Sequence, residues 1–282
     1  MTTNALREKA ERLRALHAGP RILVLCNVWD AASARIVEAA GFPALATTSA
    51  GIANSLGYAD GQRISREEMA EAVARITRTV AVPVTADMEA GYGATPESAA
   101  ETARAAIAAG AVGMNLEDAL EERDFIDIKL QSDRVRAARE AGEQAGVPLV
   151  INARTDVYLV RIGSPAEQFG EAVRRANAYR EAGADCLFLP GIADADVIAR
   201  LVREINGPIN ILAGQSTPPV GELERMGVRR VSMGSGPMRA TMALTRRIAR
   251  ELAESGTYAS FTRETISYAD ANRLIVGQGE TR

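Results

Sequence analysis

Histidine is all but missing from this chain: His17 is the only one in 282 residues. It falls in an N-terminal helical stretch and reads as a surface residue, so serine–histidine catalysis is excluded. Cysteine is equally scarce, since Cys26 and Cys186 are too few for a disulfide framework or a zinc site. That usage fits a reducing cytoplasm. Lysine occurs only at Lys9 and Lys129, neither in a strand-like run, which excludes a Schiff-base lysine on a barrel strand. No apolar run approaches the roughly 20 residues that cross a bilayer. The charged, helix-patterned start has no apolar segment of signal-peptide type. A net charge of −3 supplies no general attraction to nucleic acid or to an anionic membrane. Carboxylates and arginine are left to carry the chemistry.

Hydrophobic residues, at 47%, suffice for a sizeable core. Short β-rich runs alternate with amphipathic stretches from one end to the other. The runs are Ile22–Cys26, Ala44–Thr48, Val82–Asp87, Val112–Glu117, Pro148–Ala153, Cys186–Leu189, Ile209–Leu212 and Arg230–Met233. Helices are expected between them, for example over Arg66–Val80, Pro96–Ala109, Asp133–Ala145, Pro165–Ala182 and Pro218–Met226. Several end in a glycine followed by an apolar residue (Gly41, Gly110, Gly146, Gly183, Gly227), the pattern of a left-handed C-cap returning the chain to a strand. Eight such units in series predict an α/β fold, a (β/α)₈ TIM barrel, with a doubly wound open sheet as the alternative. The barrel with its N-terminal helix is expected over residues 1–255. A C-terminal helical tail or arm follows over 256–282, either packed on the barrel or exchanged with a partner subunit.

In such a barrel the site lies at the C-terminal ends of the strands. The third run ends in Asp87-Met88-Glu89, and an extended chain would point both acids to one face. Glu117 ends the fourth run beside them, and Asp60, in the loop after the second, reaches the same mouth. Crowded carboxylates lose hydration and repel one another, so a cation is expected to compensate them. Oxygen ligands without histidine or cysteine favour Mg²⁺, with Mn²⁺ as the substitute, on Asp87, Asp60, Glu89 and Glu117. The other reading is that these acids cap the following helices.

The fifth run ends Asn152-Ala153-Arg154, which sets an arginine fork at the mouth. It serves either as a partner for the acids or as a clamp on a carboxylate or enolate. Ser49, Ala50 and Gly51, at the end of the second run, offer backbone N–H groups to a substrate carboxylate, or simply form a tight turn. Asn210 in the seventh run joins Ser49, Ala50, Gly51, Asp87 and Arg154 as a substrate-binding candidate. Gly214–Thr217 and Gly234-Ser235-Gly236 follow the last two runs, where many barrels hold phosphate, so a phosphate-ester enzyme is a rival reading.

Four stretches in register, Asn27-Val28-Trp29-Asp30-Ala31, Asp87-Met88-Glu89-Ala90-Gly91-Tyr92-Gly93, Asn115-Leu116-Glu117-Asp118 and Asn152-Ala153-Arg154-Thr155-Asp156, resemble the isocitrate lyase / phosphoenolpyruvate mutase superfamily. The resemblance implies a barrel whose final helix is exchanged between subunits, giving a homodimer or homotetramer. It implies cleavage or formation of a C–C or P–C bond next to an α-oxo acid held on Mg²⁺. Asp87 then matches the direct metal ligand, Asp60, Glu89 and Glu117 the acids that hold the metal directly or through water, and Arg154 the arginine on substrate oxygens. Arg154 and Glu117 are the expected catalytic groups.

One departure bears on the reaction. The lyases of this superfamily carry a Lys-Arg/Lys-Cys-Gly-His loop after strand four, whereas the corresponding stretch here, from Asp118 to Ser132, has neither cysteine nor histidine. Loss of CO₂ from an oxaloacetate-type acid needs the fewest parts beyond those present, because no side chain must deprotonate a nucleophile. A C–C lyase acting on a larger α-oxo or hydroxy acid, with Lys129, Tyr58 or Tyr92 as acid–base group, is the alternative. A phosphonopyruvate hydrolase or mutase and a catalytically silent oxo-acid-binding barrel are the others.

Overall fold

The computed structural model describes residues 1–121, 124–161 and 163–276. Eleven strands occur among them: β1 Leu23–Leu25, β2 Asn27–Val28, β3 Leu45–Thr47, β4 Val84–Asp87, β5 Gly113–Glu117, β6 Ala119–Glu121, β7 Asp124–Phe125, β8 Val150–Arg154, β9 Cys186–Leu189, β10 Ile209–Leu212 and β11 Arg230–Ser232. All but β6 and β7 form one parallel sheet in the order β1-β11-β10-β9-β8-β5-β4-β3-β2. Its two ends are halves of one extended segment. Leu23–Leu25 pairs with β11, Asn27–Val28 pairs with β3, and only Cys26 separates them. The sheet therefore closes on itself into the expected barrel, and the open-sheet alternative is excluded.

The strands are buried along nearly their whole length, as parallel strands covered by helices on one face and by the barrel's interior on the other must be. Their connections return through helices such as Arg66–Thr79, Pro96–Ala108 and Pro165–Glu181. Gly110 shows why a glycine ends the second of these. Its φ is +87°, and a Cβ there would come within 2.7 Å of Thr77 Oγ1.

The N-terminal helix Thr3–Ala18 closes the floor of the barrel. Its buried residues Leu6, Ala10, Leu13 and His17 recur at helical spacing. Arg7 and Arg14 reach the carbonyls of Gly146 and Pro148, just before β8, at 3.1 and 3.2 Å. His17 is consequently not on the surface as its sequence context implied. It is buried, bonded through Nδ1 to the carbonyl oxygen of Leu13 at 2.8 Å, with Nε2 3.5 Å from an Arg230 nitrogen.

Three further differences from the sequence expectation follow from local chemistry. The helix after β5 starts at Ile128 rather than Asp133, because the Asp127 carboxylate caps it by accepting from the N–H groups of Lys129 and Leu130. Ahead of it, β6 and β7 pair as a small antiparallel hairpin. Beyond the helix Gly236–Ser255, the tail forms two short helices, Ala259–Thr262 and Tyr268–Val276, instead of one. The last of these lies against the helix Ala31–Ala39, with Arg35 Nε donating to the Leu274 carbonyl at 2.6 Å. Residues 277–282 of the expected arm lie outside the described residues.

Candidate active site

Strand register brings the site together. Asp87 pairs with Asn115, Asn115 with Asn152, and Glu117 with Arg154, so the C-terminal ends of β4, β5 and β8 present their polar residues side by side. An amide chain runs across them: Asn152 Nδ2 donates to Asn115 Oδ1 at 2.7 Å, and Asn115 Nδ2 donates to Asp87 Oδ1 at 3.2 Å. The other Asp87 oxygen accepts from both the backbone N–H and the hydroxyl of Ser49, at 3.0 and 2.8 Å. The Asp87 N–H donates to Thr47 Oγ1 at 2.8 Å. Every contact holds the Asp87 carboxylate in one orientation within a buried setting.

Ser49 opens the helix Ser49–Ser55, which Thr48 caps, so the small-residue segment is a helix start rather than a tight turn. Gly51 is required there, because a Cβ would lie 2.9 Å from Trp29 Cβ. Ala50, partly exposed, follows at the mouth.

Glu89 reaches the cluster by a different route from the one its spacing implied. β4 ends at Asp87, and Glu89 takes a left-handed φ of 52°, as does Tyr92 at 54°. The alternation of an extended strand does not apply to it. Its Oε2 accepts from the Gln62 N–H, and Gln62 Oε1 in turn accepts from the Tyr92 N–H at 2.7 Å. Non-glycine residues in this region cost on the order of 1–3 kcal/mol each, and surrounding contacts must hold them. Glu89 Oε1 is buried without a hydrogen-bond partner. Burial, and Asp87 next, raise the Glu89 pKa to about 7. Burial and Asp87 likewise raise Asp60, on its exposed loop, above the ordinary carboxylate range. Burial pushes Glu117 well up despite the opposing arginine.

Arg154 is engaged on two sides. Nη1 donates to Glu117 at 2.6 Å, while Nε and Nη2 close on Asp156 at 2.6 and 3.1 Å. Burial alone would lower its pKa, but Glu117 and Asp156 hold it above the ordinary value. Its guanidinium carbon stands 5.7 Å from the Phe188 ring centroid. Asn210 is fully buried in the interior and exchanges hydrogen bonds with Ser232 at 3.2 and 3.3 Å.

The remaining candidates fall away from the acids. Tyr58 donates to Glu68 at 3.2 Å, and Lys129 pairs with Asp133 at 2.9 Å on an exposed helical turn rather than in a lid. The glycine-rich turns are occupied from within. Thr217 Oγ1 accepts the Gly214 N–H at 3.0 Å, and Asn27 Oδ1 accepts those of Met233 and Gly234 at 2.7 and 3.0 Å, which weakens the phosphate reading. Tyr92 differs: its hydroxyl is buried without a partner, and burial with the charges of Glu89, Asp87 and Glu117 raises its pKa.

Asn27 and Asn115 stand within the resembling stretches, but sequence reasoning gave neither a site role, and it passed over Gln62, Gln131 and Arg134. Asn115 was findable, since it stands two residues before Glu117 as Asn152 does before Arg154. The others depend on contacts between distant segments.

The profile of the phosphoenolpyruvate phosphomutase family matches residues 13–253. The chain belongs to that family. It is thus a member of the isocitrate lyase / phosphoenolpyruvate mutase superfamily that its motifs resemble, a group of lyases and mutases. An uncharacterized protein of Mycobacterium tuberculosis is 34% identical over 256 residues, covering 87% of this chain and 92% of that protein. An oxaloacetate decarboxylase of Rhodopseudomonas palustris is 31% identical over 244 residues, covering 84% and 82%. The structure of an oxaloacetate acetylhydrolase with its product oxalate superposes with a TM-score of 0.85 at 26% identity, covering 95% of this chain and 94% of that one. The hairpin β6–β7 and the Asp127-capped start of the next helix fall in the Asp118–Ser132 stretch, which holds neither cysteine nor histidine.

Proposed function

We propose that this protein is a Mg²⁺-dependent decarboxylase of a small α-oxo diacid, oxaloacetate or a close relative. The observation that carries the reading is where its few nucleophilic and basic groups lie. Cys186 is fully buried at the start of β9, where burial pushes its thiol up to about 12, and the Cys26 thiol packs against the hydrophobic core. His17 lies in the floor, and Lys129 on the outer surface. Among the described residues the mouth offers carboxylates, amides, the Asp87-bound hydroxyl of Ser49, the Arg154 guanidinium and the Tyr92 phenol. Decarboxylation suits that set, because the departing group is itself a carboxylate and no side chain has to deprotonate a nucleophile.

The acids fit a hard divalent cation. Among the described residues no group of three or more Asp, Glu, His or Cys side chains is placed to hold a metal ion by itself. Mg²⁺ does not need one, since it keeps several waters and takes one or two carboxylates together with substrate oxygens. Asp87, the most firmly oriented acid, would hold it directly. Asp60, Glu89 and Glu117 would hold it directly or through water, and the unpartnered Glu89 Oε1 is an atom such a shell would satisfy. The cation, when bound, supplies Lewis-acid polarisation of the substrate's keto group.

The chain's own residues do the rest. Ser49 keeps Asp87 turned to the mouth. The Ala50 and Gly51 backbone at the helix start faces the substrate carboxylate, and Arg154 exchanges one of its present acid partners for substrate oxygen. When the bond to the departing carboxylate breaks, its electron pair moves into the keto group as CO₂ leaves. The resulting carbon then takes a proton from water, and the product is the shortened oxo acid. Asn210, buried in the barrel interior and bonded to Ser232, supports the pocket.

The test is oxaloacetate turnover with Mg²⁺ or Mn²⁺, followed by product identification. Pyruvate and CO₂ are expected, and Asp87→Ala should abolish both turnover and metal-induced thermal stabilisation in a folded protein. Oxalate with acetate would mean a hydrolase instead. Full activity of the wild type after exhaustive chelation would refute the metal.

A further inference from the structure

A buried arginine with no carboxylate within salt-bridge distance among the described residues, Arg134, stands outside the proposed chemistry. Arg134 lies on the helix Ile128–Gln144, one turn beyond Gln131, and neither side chain is exposed to solvent. Its Nη2 donates to the carbonyls of Ala90 and, at 2.9 Å, Gly93. Its Nη1 donates to Gln131 Oε1 and, at 3.4 Å, to the Glu117 carbonyl. Gln131 Nε2 donates to that same Glu117 carbonyl at 3.1 Å. Two side chains from one helix thus grip the backbone of the loop carrying Glu89 and of the strand end carrying Glu117.

The grip falls where the backbone most needs it. Ala90 and Gly93 bracket Gly91 and Tyr92, at φ of 83° and 54°, and Ala90 alone separates these from Glu89 at 52°. Left-handed residues so closely spaced do not persist by themselves, and the non-glycine ones require outside contacts. Gly91 is also fitted to the arginine, for a Cβ there would stand 3.2 Å from Arg134 Nη2 and 2.8 Å from Leu116 Cδ1. A buried guanidinium without a counter-ion is costly, and it is tolerated here because carbonyl and amide oxygens meet its terminal donors. Burial lowers its pKa to about 10, so it stays charged at neutral pH.

We propose that Arg134 is a positioning residue of the active site, whose guanidinium fixes the backbone of the Glu89 loop and the Glu117 strand end and thereby the relative placement of these two acids. The proposal rests on the reading of Glu89 and Glu117 as acids that hold the divalent cation. Lysine keeps the charge but cannot bridge several carbonyls at once, which makes Arg134→Lys the informative variant.

The full-length protein and Arg134→Lys are compared by thermal melting, by hydrogen–deuterium exchange, by Mn²⁺ titration and by oxaloacetate kinetics at saturating Mn²⁺. Exchange should accelerate at least tenfold over residues 88–93 and 115–118 and stay unchanged in the other barrel strands. The Mn²⁺ dissociation constant should rise at least tenfold, and kcat should fall by a similar factor while KM moves less than threefold. Exchange unchanged in those two segments, or an unaltered Mn²⁺ affinity and kcat in a folded variant, would overturn the proposal. So would a uniform rise in exchange with unchanged Mn²⁺ affinity, which marks a purely structural arginine. If the wild type itself binds no Mn²⁺, the metal reading of the acids falls and the proposal with it, whereas Mn²⁺ binding without oxaloacetate turnover sinks only the substrate. If Arg134→Lys does not fold, Gln131→Leu decides: the same changes should appear, confined to 115–118, and their absence counts against the clamp.

Discussion

Ser49 gives both its backbone N–H and its hydroxyl to a single oxygen of Asp87, at 3.0 and 2.8 Å. One of the two bonds can be deleted while the other remains. Ser49→Ala should therefore weaken, not abolish, the hold on Asp87. Hydrogen bonds to charged groups contribute about 1.5–3 kcal/mol, and a loss toward the lower end is expected because the N–H bond survives. Urea unfolding measures it, and turnover should fall by less than in Asp87→Ala. An activity as low as that of Asp87→Ala would mean that the hydroxyl itself takes part in the reaction.

Arg154 binds two acids through separate edges, and only a planar fork does this. Arg154→Lys should fold, yet lose roughly ten- to a hundredfold or more in kcat/KM. Steady-state kinetics beside a melting curve separates the two effects. A variant with wild-type kcat/KM would show that the guanidinium is purely structural.

Acid stability should report on His17. Burial first, and the adjacent Arg230 next, hold its pKa down to about 4 from 6.5. Between those values the unfolded chain takes up a proton that the folded barrel refuses. This contribution is thus complete above pH 6.5 and is lost as pH falls toward 4. Its size is roughly 3 kcal/mol. Urea midpoints at neutral and acid pH should diverge less in His17→Gln than in the wild type. Parallel pH profiles for the two proteins would refute the assignment.

Cys186 is buried and Cys26 packs against the core, so Cys26→Ser with Cys186→Ser should keep most of the activity. The stability cost is on the order of 1 kcal/mol per buried site, and less at half-buried Cys26. A folded double variant that binds Mg²⁺ and shows no turnover would make a thiol the acid or base, and a lyase reading would then replace decarboxylation.

The helix Gly236–Ser255 and the tail beyond it expose large apolar residues, among them Met242, Leu252, Tyr258, Phe261 and Tyr268, the last 88% exposed. Solvated apolar surface of this kind marks an interface. A dimer or tetramer is expected, and deletion from Gly256 onward should weaken it. Sedimentation velocity at micromolar concentration settles the matter, with a monomeric wild type as the refuting result.

The barrel was legible in the sequence because it is written in local terms. Eight apolar runs separated by amphipathic stretches and closing glycines leave few topologies open, and strand register then sets Asp87, Glu117 and Arg154 at one rim. The residue types settled much of the chemistry too, since a chain with one histidine, two cysteines and two lysines has few other groups to offer. Tertiary structure alone decided how Glu89 arrives. Its place depends on a left-handed turn tied to Gln62 and Arg134, residues 27 positions before it and 45 after, and no periodicity encodes such a contact. The same holds for His17, whose helical pattern was visible but whose burial required the barrel floor to be built above it. Local sequence sets which conformations a segment favours, while the partners that stabilise an unfavourable one come from elsewhere in the chain.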